Sequence, residues 1–426
     1  MPGTVSLRPA APTEELVLQY RAVRQFSEHL CTTLETEDYV VQSMPDASPI
    51  KWHLAHTSWF FETFVLEPSI PNYRSYDPAF RVVFNSYYNS VGPKHSRPLR
   101  GTLSRPTVAQ TYAYRRSVDQ CMEDLLATEM SPDLQSVVVL GLNHEQQHQE
   151  LMVTDMKHAF SMNPLNPVYR ECPVQLEAPV PTHSWIRYDE AVRCVGHDGV
   201  RFAFDNEGPR HQELVHGFSM GSRLITIGEY IAFIEDGGYT TPTLWLSDGW
   251  SAVQAHDWQA PLYWRRRADG QGWENFTLSG IRPVAADEPV THISYYEADA
   301  FAHWSGARLA GEAEWETAAA GRPISGNFVE SQNFHPAPLA ASSVESPRQL
   351  FGDVWEWTRS AYLPYPGYQA APGALGEYNG KFMCNQFVLR GGSCATAQSH
   401  IRSTYRNFFP PDARWQFSGI RLAKDA

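Results

Sequence analysis

The sequence predicts an α+β chain of two domains, a helical bundle followed by a mixed α/β domain rich in loops. Three observations carry that reading. Apolar residues recur at helical spacing through about the first 160 positions. Composition then shifts: Asn163-Pro164-Leu165-Asn166-Pro167 reads as a helix stop, and from Pro173 onward Gly, Pro, Trp and short alternating runs dominate. The length of 426 residues, with 28 Gly and 31 Pro, suits two or three cores and a large loop content.

A first helix is expected from Glu14 to about Thr36, with Leu16, Leu18, Tyr20, Val23, Phe26 and Leu30 on one side. A polar turn, Ser43 to Ser48, leads to Pro49 and a second helix from Ile50 to Leu66. That helix is apolar on most sides and so belongs in a core, yet it carries His56. Residues 68–106 read as a long irregular connection holding Tyr87-Tyr88 and the basic segment from Lys94 to Arg100. Connections of this length are uncommon and often functional. A third helix is expected from Thr107, a candidate N-cap, to Ala127. The fourth follows Ser131-Pro132 and runs through Leu140-Gly-Leu-Asn-His144-Glu145-Gln-Gln-His148 towards His158.

Residues four apart on a helix share a face, so His144 and His148 offer two imidazoles to one ion. Bundles build metal sites from facing helices, and His56 on the second helix would complete a three-histidine set. The bland alternative is that each is a packed histidine satisfied by a neighbouring carbonyl. The stretch also spells H-E-x-x-H, which would make Glu145 the general base of a zinc protease. Leu151 and Thr154 stand where a metzincin continuation needs Gly and His. In the second half, Ser294 with Glu297 forms a capping box for a helix to Trp304, and Gly311 to Ala320 is a further short helix.

A net charge of −13 without a basic run argues against nucleic acid or an anionic membrane as partner. No apolar run approaches the ~20 residues that span a bilayer. The opening residues lack the basic-then-apolar form of a signal peptide. Six scattered cysteines (Cys31, Cys121, Cys172, Cys194, Cys384, Cys394) without a C-x-x-C fit free thiols in a reducing cytoplasm.

Several motifs carry a resemblance. Phe218-Ser-Met-Gly221, Pro289 to Ala298, Trp304-Ser-Gly-Ala-Arg308, Glu312 to Glu316, Gly352-Asp-Val-Trp355-Glu-Trp357 and Leu389-Arg-Gly-Gly-Ser393 resemble the formylglycine-generating-enzyme fold, a C-type-lectin variant, over about 180–425. Residues from about 10 to 165 resemble a DinB-like four-helix bundle. The two in this order, with Leu54-Ala-His56, Phe204 to Arg210 and Tyr405-Arg-Asn-Phe-Phe409, look like the sulfoxide synthases of ergothioneine biosynthesis. The copper-binding cysteine pair of formylglycine-generating enzymes is missing: those positions hold Thr396 and Ile401. The second domain is therefore expected to present substrate-binding loops.

The resemblance implies that His56, His144 and His148 bind Fe(II). The implied reaction uses O2 to join the sulfur of a cysteine-type thiol to C2 of the hercynine (Nα-trimethylhistidine) imidazole and to oxidise that sulfur. Three neutral imidazoles leave open positions on the metal for both substrates and oxygen. Tyr87 and Tyr88 are the expected proton donors, with Tyr368 in reserve after the W-x-W motif. Gln147 matches the residue that bonds the hercynine imidazole, and Asn407 the one contacting its carboxylate. Phe408 and Phe409 would attract the trimethylammonium by cation–π interaction. Members using γ-glutamylcysteine carry an acid where this chain has Phe409, which favours free L-cysteine. Arg97 and Arg100 are candidates to hold its carboxylate. Alternatives are an ovothiol-type synthase, which usually carries a C-terminal methyltransferase domain, a zinc-dependent DinB-like thiol transferase or hydrolase, and a non-catalytic binding module.

Overall fold

The structure is a computed structural model that describes residues 13–171, 180–340 and 346–426. The opening residues, the expected domain start at 10, Cys172 and the first residues after Pro173 lie outside the described residues. The chain divides into two compact units. One comprises Met1–Met162, Asp198–Asp205 and Gln369–Gly380; the other comprises Asn163–His197, Asn206–Tyr368 and Lys381–Ala426.

Four long helices build the first unit: α1 (Thr13–His29), α2 (Ile50–Phe61), α3 (Val108–Leu126) and α4 (Pro132–Ser161). α1, whose Leu18, expected on its packed side, is 65 % exposed, ends about two turns before the expected Thr36. There the Thr32 hydroxyl donates to the His29 carbonyl at 2.8 Å, competing with continuation of the helix. Every residue of α2 is buried, as its all-round apolarity requires. The helix runs on as a π turn, Glu62–Leu66, a geometry frequent beside functional sites. The buried Glu62 carboxylate anchors that turn by accepting from Tyr114 Oη at 2.6 Å and the Tyr76 N–H at 2.8 Å.

α3 starts at the expected N-cap Thr107, which forms a capping box with Gln110, and α4 starts with a Ser131 cap and Pro132 in the first turn. The connection between α2 and α3 is less irregular than expected. It holds a helical turn at Phe80–Val83 and a 3₁₀ segment at Arg97–Thr102.

Gly141 lets α2 and α4 approach. A Cβ there would lie 2.6 Å from Phe61 Cε1 and 2.9 Å from Phe60 Cε1. Around this contact Trp59, Phe60, Phe61, Tyr114, Met122 and Leu142 form the core of the unit.

The second unit contains two four-stranded sheets. One orders the strands Trp185–Tyr188, Phe218–Gly221, Leu422–Asp425 and Arg308–Leu309, all antiparallel neighbours. The other orders Asn407–Phe409, Phe387–Arg390, Trp355–Ala361 and Ser418–Gly419, the last pair parallel. The helix Tyr295–Trp304 carries the expected Ser294–Glu297 capping box. The W-x-W motif is structural: Trp355 and Trp357 are 1 % exposed, and Trp357 Nε1 donates to the Ile293 carbonyl at 3.0 Å. Between them Glu356 accepts from Trp315 Nε1 and Arg421, both at 2.8 Å.

Candidate metal centre

α2 and α4 bring His56, His144 and His148 together in the first unit, with one potential ligand atom from each lying within 4.8 Å of the others. Nε2 of His56 faces Nε2 of His144 at 3.3 Å. Two nitrogens about 2.1 Å from one metal, at about 90–110°, lie about 3.0–3.4 Å apart. Burial holds all three imidazoles neutral: it is the main cause that pushes His144 down to about 4 and His56 and His148 well below the ordinary histidine range. Neutral, converging, buried nitrogens are what a divalent metal needs, so the residues fit.

The backs of the rings are also arranged. His56 Nδ1 donates to the Phe84 carbonyl at 2.6 Å, which leaves its Nε2 lone pair for the centre. His148 Nδ1 lies 2.8 Å from His53 Nδ1, again leaving Nε2 for the centre. His144 Nδ1 is buried and makes no hydrogen bond among the described residues. The rings of Trp52 and Trp59 stack on His56, with centroids 4.6 and 5.5 Å away.

Glu145 points away from this centre. Its carboxylate accepts from Arg115 and Ser27 at 2.6 Å and from Arg24 at 2.9 Å. Burial alone would raise its pKa, but Arg115 and Arg24 outweigh burial and hold it at about 2. A carboxylate so engaged is not a general base, and the zinc-protease reading of H-E-x-x-H falls with it.

Arg100 is 4 % exposed and stands over the Trp52 ring at 3.3 Å. It makes no ion pair among the described residues, and burial lowers its pKa to about 9. A buried cation beside a metal centre, lacking an acid, suits an incoming carboxylate. Arg97 donates to Tyr87 Oη at 3.2 Å and to the Asp46 carbonyl. Gln147 is half-buried, three residues after His144 on the same helical face.

Tyr88 packs within an aromatic wall, 5.6 Å from Trp59 and 5.0 Å from Phe64. Its hydroxyl makes no hydrogen bond among the described residues. Sequence reasoning missed Tyr378, whose ring lies 6.4 Å from that of His144 and 6.3 Å from that of Tyr87. The signal was its place after W-x-W, ten positions beyond Tyr368, which belongs to the second unit. Glu377 fastens this segment by accepting the backbone N–H groups of Asn89 (2.9 Å) and Ser90 (2.8 Å).

Asn407, Phe408 and Phe409 form an edge strand of the second unit. Phe408 stacks on Tyr362 at 4.1 Å, and Phe409 meets Trp415 edge-on at 5.7 Å. Thr396 and Ile401, where a copper-binding pair would need thiols, are both buried.

Residues 19–152 match the DinB superfamily, and residues 187–426 match the Sulfatase-modifying factor enzyme 1-like domain. The chain thus joins a histidine-bearing DinB bundle to a domain of the formylglycine-generating-enzyme type. It is 32% identical over 404 residues to Hercynine oxygenase of Mycobacterium tuberculosis, covering 89% of this chain and 92% of that one. Identity to Hercynine oxygenase of Mycolicibacterium smegmatis is 31% over 422 residues, covering 90% and 92%. This chain belongs to the hercynine oxygenase family. Ergothioneine biosynthesis protein 1 of Schizosaccharomyces pombe is 29% identical over 239 residues, 53% of this chain and 28% of that protein.

Proposed function

We propose that this member of the hercynine oxygenase family is an iron(II)- and O2-dependent sulfoxide synthase of ergothioneine biosynthesis that joins L-cysteine to C2 of hercynine. The observation that carries the metal assignment is the buried, neutral His56–His144–His148 set on two facing helices. Iron(II) bound there would supply redox capacity and open positions where a thiol, an imidazole and oxygen meet. In the overall reaction the C2–H and S–H bonds break and C–S and S–O bonds form. One oxygen atom stays on sulfur and the other leaves as water with both hydrogens, so O2 takes up all four electrons.

The chain's own groups bind, orient and move protons. Arg100, with Arg97 beside it, holds the carboxylate of the thiol substrate by charge-assisted hydrogen bonds. Gln147 bonds the hercynine imidazole. Asn407 takes its carboxylate, and Phe408 and Phe409 offer faces to its trimethylammonium. Tyr87 and Tyr88 supply the proton, and Tyr378 joins them as a third candidate. Burial raises the Tyr88 and Tyr378 phenols, so both keep their protons at neutral pH. Free L-cysteine as donor rests on Phe409. Among the described residues no helix is long and apolar enough to cross a membrane.

Anaerobic reconstitution with Fe(II), followed by hercynine, L-cysteine and air, tests the reading through product mass and oxygen uptake together. A coupled sulfoxide that disappears when iron or oxygen is left out is the expected result. Product from γ-glutamylcysteine alone would overturn the donor assignment. No oxygen uptake with either thiol would overturn the oxygenase.

A further inference from the structure

His148 is held from behind by a chain of buried polar groups reaching to Arg100. Its Nδ1 lies 2.8 Å from Nδ1 of His53, and Nε2 of His53 lies 3.1 Å from Asp155 Oδ2. The same carboxylate oxygen accepts the Ser48 backbone N–H at 2.7 Å. The Ser48 hydroxyl in turn accepts from Arg100 Nη1 at 2.9 Å. His53, Asp155, Ser48 and Arg100 are each at most 4 % exposed.

The partners dictate where the protons sit. A carboxylate only accepts, so Nε2 of His53 carries its hydrogen. The neutral ring then has its lone pair on Nδ1, which accepts from Nδ1–H of His148. That leaves the lone pair of His148 on Nε2, the atom turned to the centre. The opposite tautomer of His148 would set two lone pairs against each other at 2.8 Å. His53 sits three residues before His56 on α2, and Asp155 two turns after His148 on α4, so the relay also spans the two helices that carry the ligands.

We propose that His53 and Asp155 are positioning residues that fix His148 as an Nε2 metal ligand, and that Ser48 ties this ligand to the Arg100 guanidinium. The proposal rests on the metal-centre reading above. Partners of this kind set ring orientation and basicity, and removing one costs about 10- to 100-fold in metal affinity.

The test uses the full chain, stripped of metal and titrated anaerobically with Co(II), in wild-type, H53L, H53Q and D155N forms. H53L is expected to weaken Co(II) binding by about 10- to 100-fold. H53Q offers a carbonyl to His148 and an N–H to Asp155 and should recover most of the loss, a rescue that simple packing would not give. D155N should fall between wild type and H53L. A metal-free measurement accompanies the titration: ¹⁵N-histidine spectra should show His148 as the Nδ1–H tautomer in wild type and H53Q. Wild-type His148 in the Nε2–H form would overturn the relay, as would equal Co(II) affinity for wild type and the His53 variants. If wild type takes up no Co(II), the metal reading fails, while the tautomer spectrum still decides the relay. Should H53L not fold, H53Q and D155N carry the comparison.

Discussion

Adjacent residues in H-E-x-x-H have been given opposite duties. His144 faces the centre, whereas Glu145 closes a buried cluster with Arg24, Arg115 and Ser27. E145Q removes the charge that Arg24 and Arg115 share, but each keeps one other acid, Asp119 and Glu28, so it should cost about 1–3 kcal/mol in chemical denaturation. Metal affinity of the folded fraction should stay within a few-fold of wild type; a specific loss of turnover at full stability would restore a catalytic role to Glu145.

The histidines also set a pH dependence. An unfolded chain protonates His144 near 6.5, while the folded protein resists until about 4. Between those values the unfolded state binds more protons, so metal-free protein loses stability as pH falls from about 6.5 to about 4. Thermal melting against pH checks this, and H144N should show a shallower slope. For the proton donor, Y88F should lower turnover by about 10²- to 10⁴-fold with Co(II) affinity unchanged. Y87F and Y378F belong in the same assay, and a larger fall in either moves the role there.

At the level of the helices, the decisive contact is the close approach at Gly141. Ala is ordinarily better than Gly in a helix by about 1 kcal/mol. Here the added methyl meets two aromatic rings of α2 at 2.6 and 2.9 Å, and those rings follow His56 by a turn or so. G141A should therefore destabilise by about 1–3 kcal/mol and weaken Co(II) binding, measured by denaturation and titration of one preparation. A stabilised G141A with unchanged affinity would show that the helices are free to part. The same paragraph of sequence that hid this contact made the elements themselves plain. The caps at Thr107 and Ser294 are local hydrogen-bonding patterns and were readable as such. The early end of α1 and the π turn after Phe61 were not, because they depend on Thr32 and on tyrosines that reach Glu62 from elsewhere.

Across the whole molecule, the proposed residues fall in two sets: the histidines, Tyr87, Tyr88, Arg97, Arg100 and Gln147 in the first unit, and Asn407, Phe408 and Phe409 in the second. Donor choice tests the second set. F409D should raise the rate with γ-glutamylcysteine relative to L-cysteine, read as the ratio of kcat/KM values. An unchanged ratio would remove Phe409 from donor selection.

By itself the sequence determined the two-part architecture, the helices and the three candidate ligands. These follow from periodicity, caps and spacing, which are short-range properties of the chain. Tertiary structure alone decided the turn of Glu145 away from the metal centre into a buried cluster, the arrival of Tyr378 beside His144, and the line from His148 through His53, Asp155 and Ser48 to Arg100. Each joins groups tens to hundreds of residues apart, and side-chain orientation across a packed interface is fixed by which partners meet there. No local pattern encodes that.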